Sequence, residues 1–124
     1  MILVDTSIWI DHLRKGDPGL ASLLRDGRVL AHTFVIGELA MGQVSQRQEI
    51  LQLLADLPHA EVASADEVMA LVESRQLFGV GIGYVDAHLL ASTLLTSGAR
   101  LWTRDKRLAA TASTLGLTAG VPTG

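Results

Sequence analysis

The chain has 124 residues, enough for one domain that buries most of its apolar surface, and its 48% hydrophobic and 19% charged residues argue against disorder. There are no cysteines, so disulfides, thiolate catalysis and zinc-thiolate sites are excluded, and any metal must be held by oxygen or imidazole. A net charge of −3 counts against a nucleic-acid ligand only mildly, since gathering four of the thirteen acids into one metal-binding site leaves the rest of the chain slightly positive.

Ile2-Leu3-Val4 has the character of a buried strand, and Asp5-Thr6-Ser7 supplies cap residues for a helix carrying Ile8, Trp9, Ile10 and Leu13. Asp5 therefore stands at a strand-to-helix hinge. Asp17-Pro18 opens a helix through Leu20, Leu23 and Leu24 that stops at Gly27, and Val29-Leu30-Ala31 is the second strand. Thr33 is expected to cap a third helix, apolar on nearly every side and hence buried, in which Glu38 is the one charged residue. Ser45 with Gln48, and Ser64 with Glu67, have capping-box spacing ahead of two further helices, with a short strand expected at Glu61-Val62-Ala63 between them.

Gly79, Gly81 and Gly83 form a loop without the strand-then-helix setting of a dinucleotide fingerprint, and it suits the edge of a substrate groove. A helix from Asp86 to Ser97, a fourth strand at 99–103, a last helix from Asp105 to Leu115 and a fifth strand at Leu117-Thr118-Ala119 complete the chain. Residues 120–124 read as a frayed tail. Strands alternating with helices predict an α/β fold with a parallel four- to five-stranded sheet in a single domain spanning 1–124. No apolar run reaches the ~20 residues of a membrane span, and the N-terminus lacks the basic region of a signal peptide, so a cytoplasmic protein is expected.

In open α/β sheets ligands bind beyond the carboxyl ends of the strands. Asp5 follows the first strand and Asp105 the fourth, and the two face each other if those strands are neighbours. Glu38 and Asp86, on the helices after the second strand and before the fourth, can reach the same end. Several carboxylates so gathered repel one another unless a cation joins them, and an all-oxygen acidic set suits Mg²⁺ or Mn²⁺. Such ions activate water and stabilise the leaving oxygen of a phosphodiester, which makes phosphodiester hydrolysis the natural reaction. Each Asp also has an ordinary use, as a helix cap or as a favourable charge at a helix N-terminus. Glu38, in an apolar helix, is harder to explain structurally. The histidines at 12, 32, 59 and 88 are scattered and read as packed or surface residues. Trp9 and Trp102 read as core.

The segments Ile2 to Ile10, Glu38-Leu39, Tyr84 to Ala91 and Leu101 to Leu108 resemble, in order, the four motifs of PIN-domain nucleases, in particular the VapC toxins of bacterial toxin–antitoxin pairs. The resemblance implies a Mg²⁺- or Mn²⁺-dependent endoribonuclease with Asp5, Glu38, Asp86 and Asp105 as catalytic and metal-binding acids, supported by the polar residues Ser7 and Thr103. It also implies a homodimer neutralised by an antitoxin protein whose C-terminal segment fills a groove near the site, with DNA contacted only through that antitoxin. Leu108 stands where the family often has an aromatic residue. Arg104, Lys106 and Arg107 make the fourth motif unusually basic, either holding RNA phosphates or forming a solvated helix start. A receiver domain would need adjacent acids after its first strand, and a dehalogenase-type phosphatase Asp-x-Asp there, where this chain has Asp5-Thr6-Ser7. A catalytically inactive PIN module that acts by binding a protein partner is the alternative, and it would tolerate the loss of acids that are all present.

Overall fold

A computed structural model describes residues 1–121. Its elements run β1 (Ile2–Val4), α1 (Thr6–Lys15), α2 (Pro18–Arg25), β2 (Val29–Leu30), α3 (Thr33–Met41), α4 (Arg47–Asp56), α5 (Ala65–Ser74), α6 (Tyr84–Leu95), β3 (Arg100–Trp102) and α7 (Lys106–Thr114). The three strands form a parallel sheet in the order β2-β1-β3, with Leu3 opposite Leu30 on one side and Leu101 on the other. The α/β class and the parallel sheet are as expected, and β1 lies at its centre.

The β1 side chains are all buried, because a central parallel strand is covered on both faces. Around them pack Ile8 and Trp9 of α1, Leu20 and Leu23 of α2, Leu89 and Leu90 of α6, Leu101 of β3 and Leu108 of α7. Trp9 is inside this core and Trp102 packs partly buried against it, which agrees with the reading of both as packing residues. Among the described residues no helix is long and apolar enough to cross a membrane.

The sheet is smaller than the four to five strands expected, because two of the expected strands, 61–63 and 117–119, do not form. The segment 61–63 makes no strand because its backbone is spent on side chains of α6 and its C-cap: Glu61 N–H donates to Thr96 Oγ1 at 2.9 Å and Ala63 N–H to Ser92 Oγ at 3.3 Å. Pairing with the sheet is reduced to one bridge two residues earlier, between Ala31 and His59. The segment 117–119 likewise contributes a single parallel bridge, Leu101 to Thr118. The frayed end expected at 120–124 lies, for residues 122–124, outside the described residues.

Three helix starts and one burial differ from expectation. His32 rather than Thr33 caps α3, its Nδ1 accepting the Phe34 N–H at 3.0 Å. The cap of α4 is Gln46 in a left-handed conformation with no side-chain bond, so the expected Ser45 box does not form. Arg47 instead reaches back to the Ala40 carbonyl with Nε and Nη2, satisfying the end of α3. α6 begins at Tyr84, two residues before Asp86. α3 was expected to be buried all round, yet it buries only Val35 and Leu39, one stripe at i and i+4, and leaves Met41 89% exposed. The Ser64–Glu67 capping box forms as expected.

Candidate active site

β1 and β3 are neighbours, so the residues that leave their carboxyl ends meet. Asp5 N–H continues the ladder to the Trp102 carbonyl at 3.0 Å, and the Asp5 side chain, 8% exposed, caps α1 through Oδ1 to Thr6 N–H at 2.8 Å. Its other oxygen, Oδ2, accepts from Thr103 Oγ1 at 2.7 Å and from Ser7 Oγ at 3.3 Å. Thr103 Oγ1 in turn accepts the Asp105 N–H at 3.1 Å, and Ser7 Oγ the Arg104 N–H at 3.3 Å. Two hydroxyls thus stitch the β1–α1 turn to the β3–α7 turn around one carboxylate.

Asp105 is the N-cap of α7, Oδ1 accepting the Leu108 N–H at 3.0 Å. The cap use is therefore real for Asp5 and Asp105 alike. Asp86, the third residue of α6, turns Oδ2 back to the Gly83 N–H at 3.0 Å. Burial pushes its carboxyl above the usual range. The Gly83 N–H opposes this, and the negative charges of Asp5 and Asp105 push in the same direction as burial. Three acids from three separate elements are thereby electrostatically coupled at the carboxyl edge of the sheet.

Glu38 joins by a different route. It is exposed rather than enclosed in an apolar helix, so the burial argument for its importance does not apply. Its Oε1 accepts from Thr6 Oγ1 at 2.8 Å. Thr6 therefore links two acids, giving its N–H to Asp5 and its hydroxyl to Glu38. Sequence reasoning saw Thr6 only as a cap residue; the signal was a second hydroxyl beside the hinge acid. A cavity of about 350 Å³ opens next to Glu38, between Ile10 and Leu13 of α1 and the turn Gly42 to Ser45.

The basic residues of the fourth motif divide. Arg104 is engaged by two carboxylates, Asp11 of α1 at 2.6 Å and Asp17, the α2 cap. Burial is the largest influence on Asp17 and pushes its carboxyl up, but the Leu20 N–H and Arg104 outweigh it, and the net direction is down. Arg104 thus ties the β3–α7 turn to the α1–α2 corner. Lys106 and Arg107 are exposed, and among the described residues the ion pairs all belong to Arg104.

The histidines serve structure. His32 is buried, and since Nδ1 accepts from Phe34 N–H, Nε2 is the protonated nitrogen and donates to Ser92 Oγ at 2.8 Å. Burial, then the nearby His88 and His59, lower its pKa to about 4. His88 is packed between the rings of Phe34 and Tyr84.

The donor set at the sheet edge is all carboxylate, and burial together with the charges of Asp5 and Asp105 raises Asp86, which suits a hard divalent cation in kind. As the side chains lie, no group of three or more acids or histidines among the described residues converges closely enough to hold an ion. The chemistry of the donors fits such a cation, and their side chains would have to turn to close on it.

An acidic site at the carboxyl edge of a small parallel sheet, on four sequence motifs in order, matches one family throughout. A family model described as PIN domain covers residues 2–113, and the chain belongs to the PIN-domain family. Within it, the chain is similar to Ribonuclease VapC32 from two strains of Mycobacterium tuberculosis, with 53% identity over 117 residues that make up 94% of either chain. The resemblance to the VapC type read from the motifs is borne out by this similarity.

Proposed function

We propose that this protein is the toxin of a type II toxin–antitoxin pair, a cytoplasmic single-domain endoribonuclease that hydrolyses RNA phosphodiester bonds with the help of Mg²⁺ or Mn²⁺. The observation that carries the reading is the Thr103 hydroxyl bridging Asp5 Oδ2 and the Asp105 N–H across the β1–β3 seam, which gathers acids of two separate turns at the carboxyl edge of the sheet, with Asp86 near enough for their charges to bear on it. A cluster of like charges there costs stability, which a purely structural set of helix caps would have no reason to bear. The ribonuclease name of relatives 53% identical supports RNA as the substrate.

Asp5, Glu38, Asp86 and Asp105 are the residues that would hold the ion. When bound, such an ion supplies an activated water and stabilisation of the leaving oxygen. The chain's own part is orientation. Thr103 and Ser7 fix Oδ2 of Asp5, Thr6 fixes Oδ1 and also Glu38, and the Gly83 N–H fixes Asp86. These bonds limit the orientations open to the carboxylates and so the rearrangement needed to meet an ion. Lys106 and Arg107, at the start of α7, are placed to hold RNA phosphates, with Arg104 acting on the backbone of the site through its ion pairs.

The cavity beside Glu38, with the half-apolar wall of Ile10, Leu13 and Leu39, is suited to the C-terminal segment of an antitoxin, and the protein is taken to act as a homodimer. Incubating purified protein with RNA tests the enzymatic reading: cleavage requires Mg²⁺ or Mn²⁺, stops with EDTA and is lost in Asp5→Asn. RNA that survives with the metals, or is cut equally well by Asp5→Asn, leaves a binding module instead. Co-expression with the neighbouring open reading frame tests the toxin role, a tight co-purifying complex being the expected result.

A further inference from the structure

The geometry points to a second phosphate-binding subsite away from the acids, formed by Arg75 and Arg107, that holds the RNA strand one or more nucleotides from the cleaved bond. This deepens the ribonuclease reading and rests on it. The two arginines come from different elements, Arg75 from the C-cap of α5 and Arg107 from the first turn of α7, and both line one surface pocket of about 330 Å³. It is lined as well by the buried Leu77, the exposed Val80 and the α7 residues Ala110, Thr111 and Thr114.

Three observations make this a place for an anion. First, neither arginine has a carboxylate partner among the described residues, and no acid lines the pocket, so two like charges face one space without compensation. In a chain with more acids than bases that arrangement is not the default. Second, the hydroxyls on the wall are not free to serve as donors, since Thr111 donates to the Arg107 carbonyl and Thr114 to the Ala110 carbonyl, both at 3.1 Å. The guanidinium groups are then the recognising donors, and their planar forks match phosphate oxygens. Third, the glycine loop gives way to Arg107: a Cβ at Gly81 would stand 2.6 Å from its Cδ and 2.9 Å from Nη1. The end of the arginine, Cδ and guanidinium alike, is laid against the loop rather than left loose in solvent.

The occupant follows from continuity with the site. Arg107 is two residues beyond Asp105, on the same helix that Asp105 caps, so a strand whose scissile phosphate lies at the acids passes Arg107 and next reaches Arg75. Contacts to neighbouring phosphates position a strand without reading its bases. The apolar lining of Leu77 and Val80 suits the sugar edge of that nucleotide.

The test uses the full chain carrying Arg75→Gln or Arg75→Lys, since Arg75 is exposed and lies apart from the acids. KM and kcat are measured on a long single-stranded RNA and on a short oligonucleotide trimmed to the cleavage site, and binding of a labelled single-stranded RNA to the same variants in an Asp5→Asn background is followed by fluorescence anisotropy against salt. Arg75→Gln should raise KM several-fold on the long RNA with kcat kept, leave the short substrate unchanged, and lower the slope of log affinity against log salt by about 0.7, the value of one single-strand phosphate contact. Arg75→Lys should restore the slope. An unchanged KM and salt slope in Arg75→Gln, with cleavage intact, overturns the subsite alone and leaves the arginine pair as an anchor for an acidic protein segment. Absence of cleavage by the unmodified chain, with Arg75-dependent RNA binding retained, brings down the ribonuclease reading and leaves the subsite standing.

Discussion

The Thr103 hydroxyl donates a 2.7 Å hydrogen bond to Oδ2 of Asp5 across the seam between β1 and β3, while accepting the Asp105 N–H at 3.1 Å. One hydroxyl therefore sets the position of two acids that belong to different turns. Thr103→Val keeps the shape of the side chain and removes both bonds. A hydrogen bond to a charged group is worth about 1.5–3 kcal/mol, so RNA cleavage should fall roughly tenfold to a hundredfold and the thermal midpoint should drop by on the order of 5–15 °C. Thr103→Ser should recover most of the activity. A valine variant as active as the parent would show that Asp5 needs no such anchor.

Asp105 has two uses that a pair of variants separates. Asn retains a side-chain oxygen to cap α7, whereas Ala removes it at a cost of about 1 kcal/mol. If the carboxylate takes part in the reaction, Asp105→Asn and Asp105→Ala should both lose on the order of a hundredfold in cleavage rate, while only Asp105→Ala shows a lowered denaturant midpoint. Full activity in Asp105→Asn would reduce Asp105 to a cap.

Why some of this was legible in the sequence and some was not follows from distance along the chain. Asp5 and Asp105 could be read because a strand pattern, an acid and a helix pattern follow one another within a few residues. Their meeting needed only the adjacency of β1 and β3, which the sheet order supplies. The lost strand at 61–63 was illegible because Ser92 and Thr96, the hydroxyls that take its backbone, lie 29 and 35 residues further on. The same holds for Arg104, whose Asp17 partner is 87 residues away, and for Thr6 and Glu38, 32 residues apart. Periodicity marked α3 as apolar, but it could not say that the core takes in only the Val35 and Leu39 stripe.

His32 makes stability depend on pH. Its pKa is about 4 in the folded chain against an ordinary 6.5, so the unfolded chain binds the extra proton between those values. Its contribution is fully present above pH 6.5 and is lost as pH falls from 6.5 towards 4, with a limiting slope of about 1.4 kcal/mol per pH unit. Asp86 is shifted the opposite way and favours the folded state as pH falls, so the difference between parent and His32→Asn is the proper readout. Urea unfolding across this range should show the parent losing its advantage over His32→Asn, a variant that keeps a cap oxygen for Phe34 N–H. Parallel pH curves for the two proteins would mean that His32 titrates normally.

Gly81 and Gly79 offer a controlled comparison within one loop. Both have positive φ, 88° and 73°, so alanine is strained at either and each substitution should lower stability by about 1 kcal/mol or more. They differ in what the new methyl meets. At Gly79 it meets nothing within 4 Å, whereas at Gly81 it stands 2.6 Å from Arg107 Cδ. A side chain as flexible as arginine yields to the methyl rather than unfolding the loop, so Gly81→Ala should shift Arg107 off its course across the glycine. Similar thermal midpoints for the two variants, with the KM for long RNA raised in Gly81→Ala alone, are the expected outcome. Equal KM values would show that the path of Arg107 over the loop has no bearing on how RNA is held.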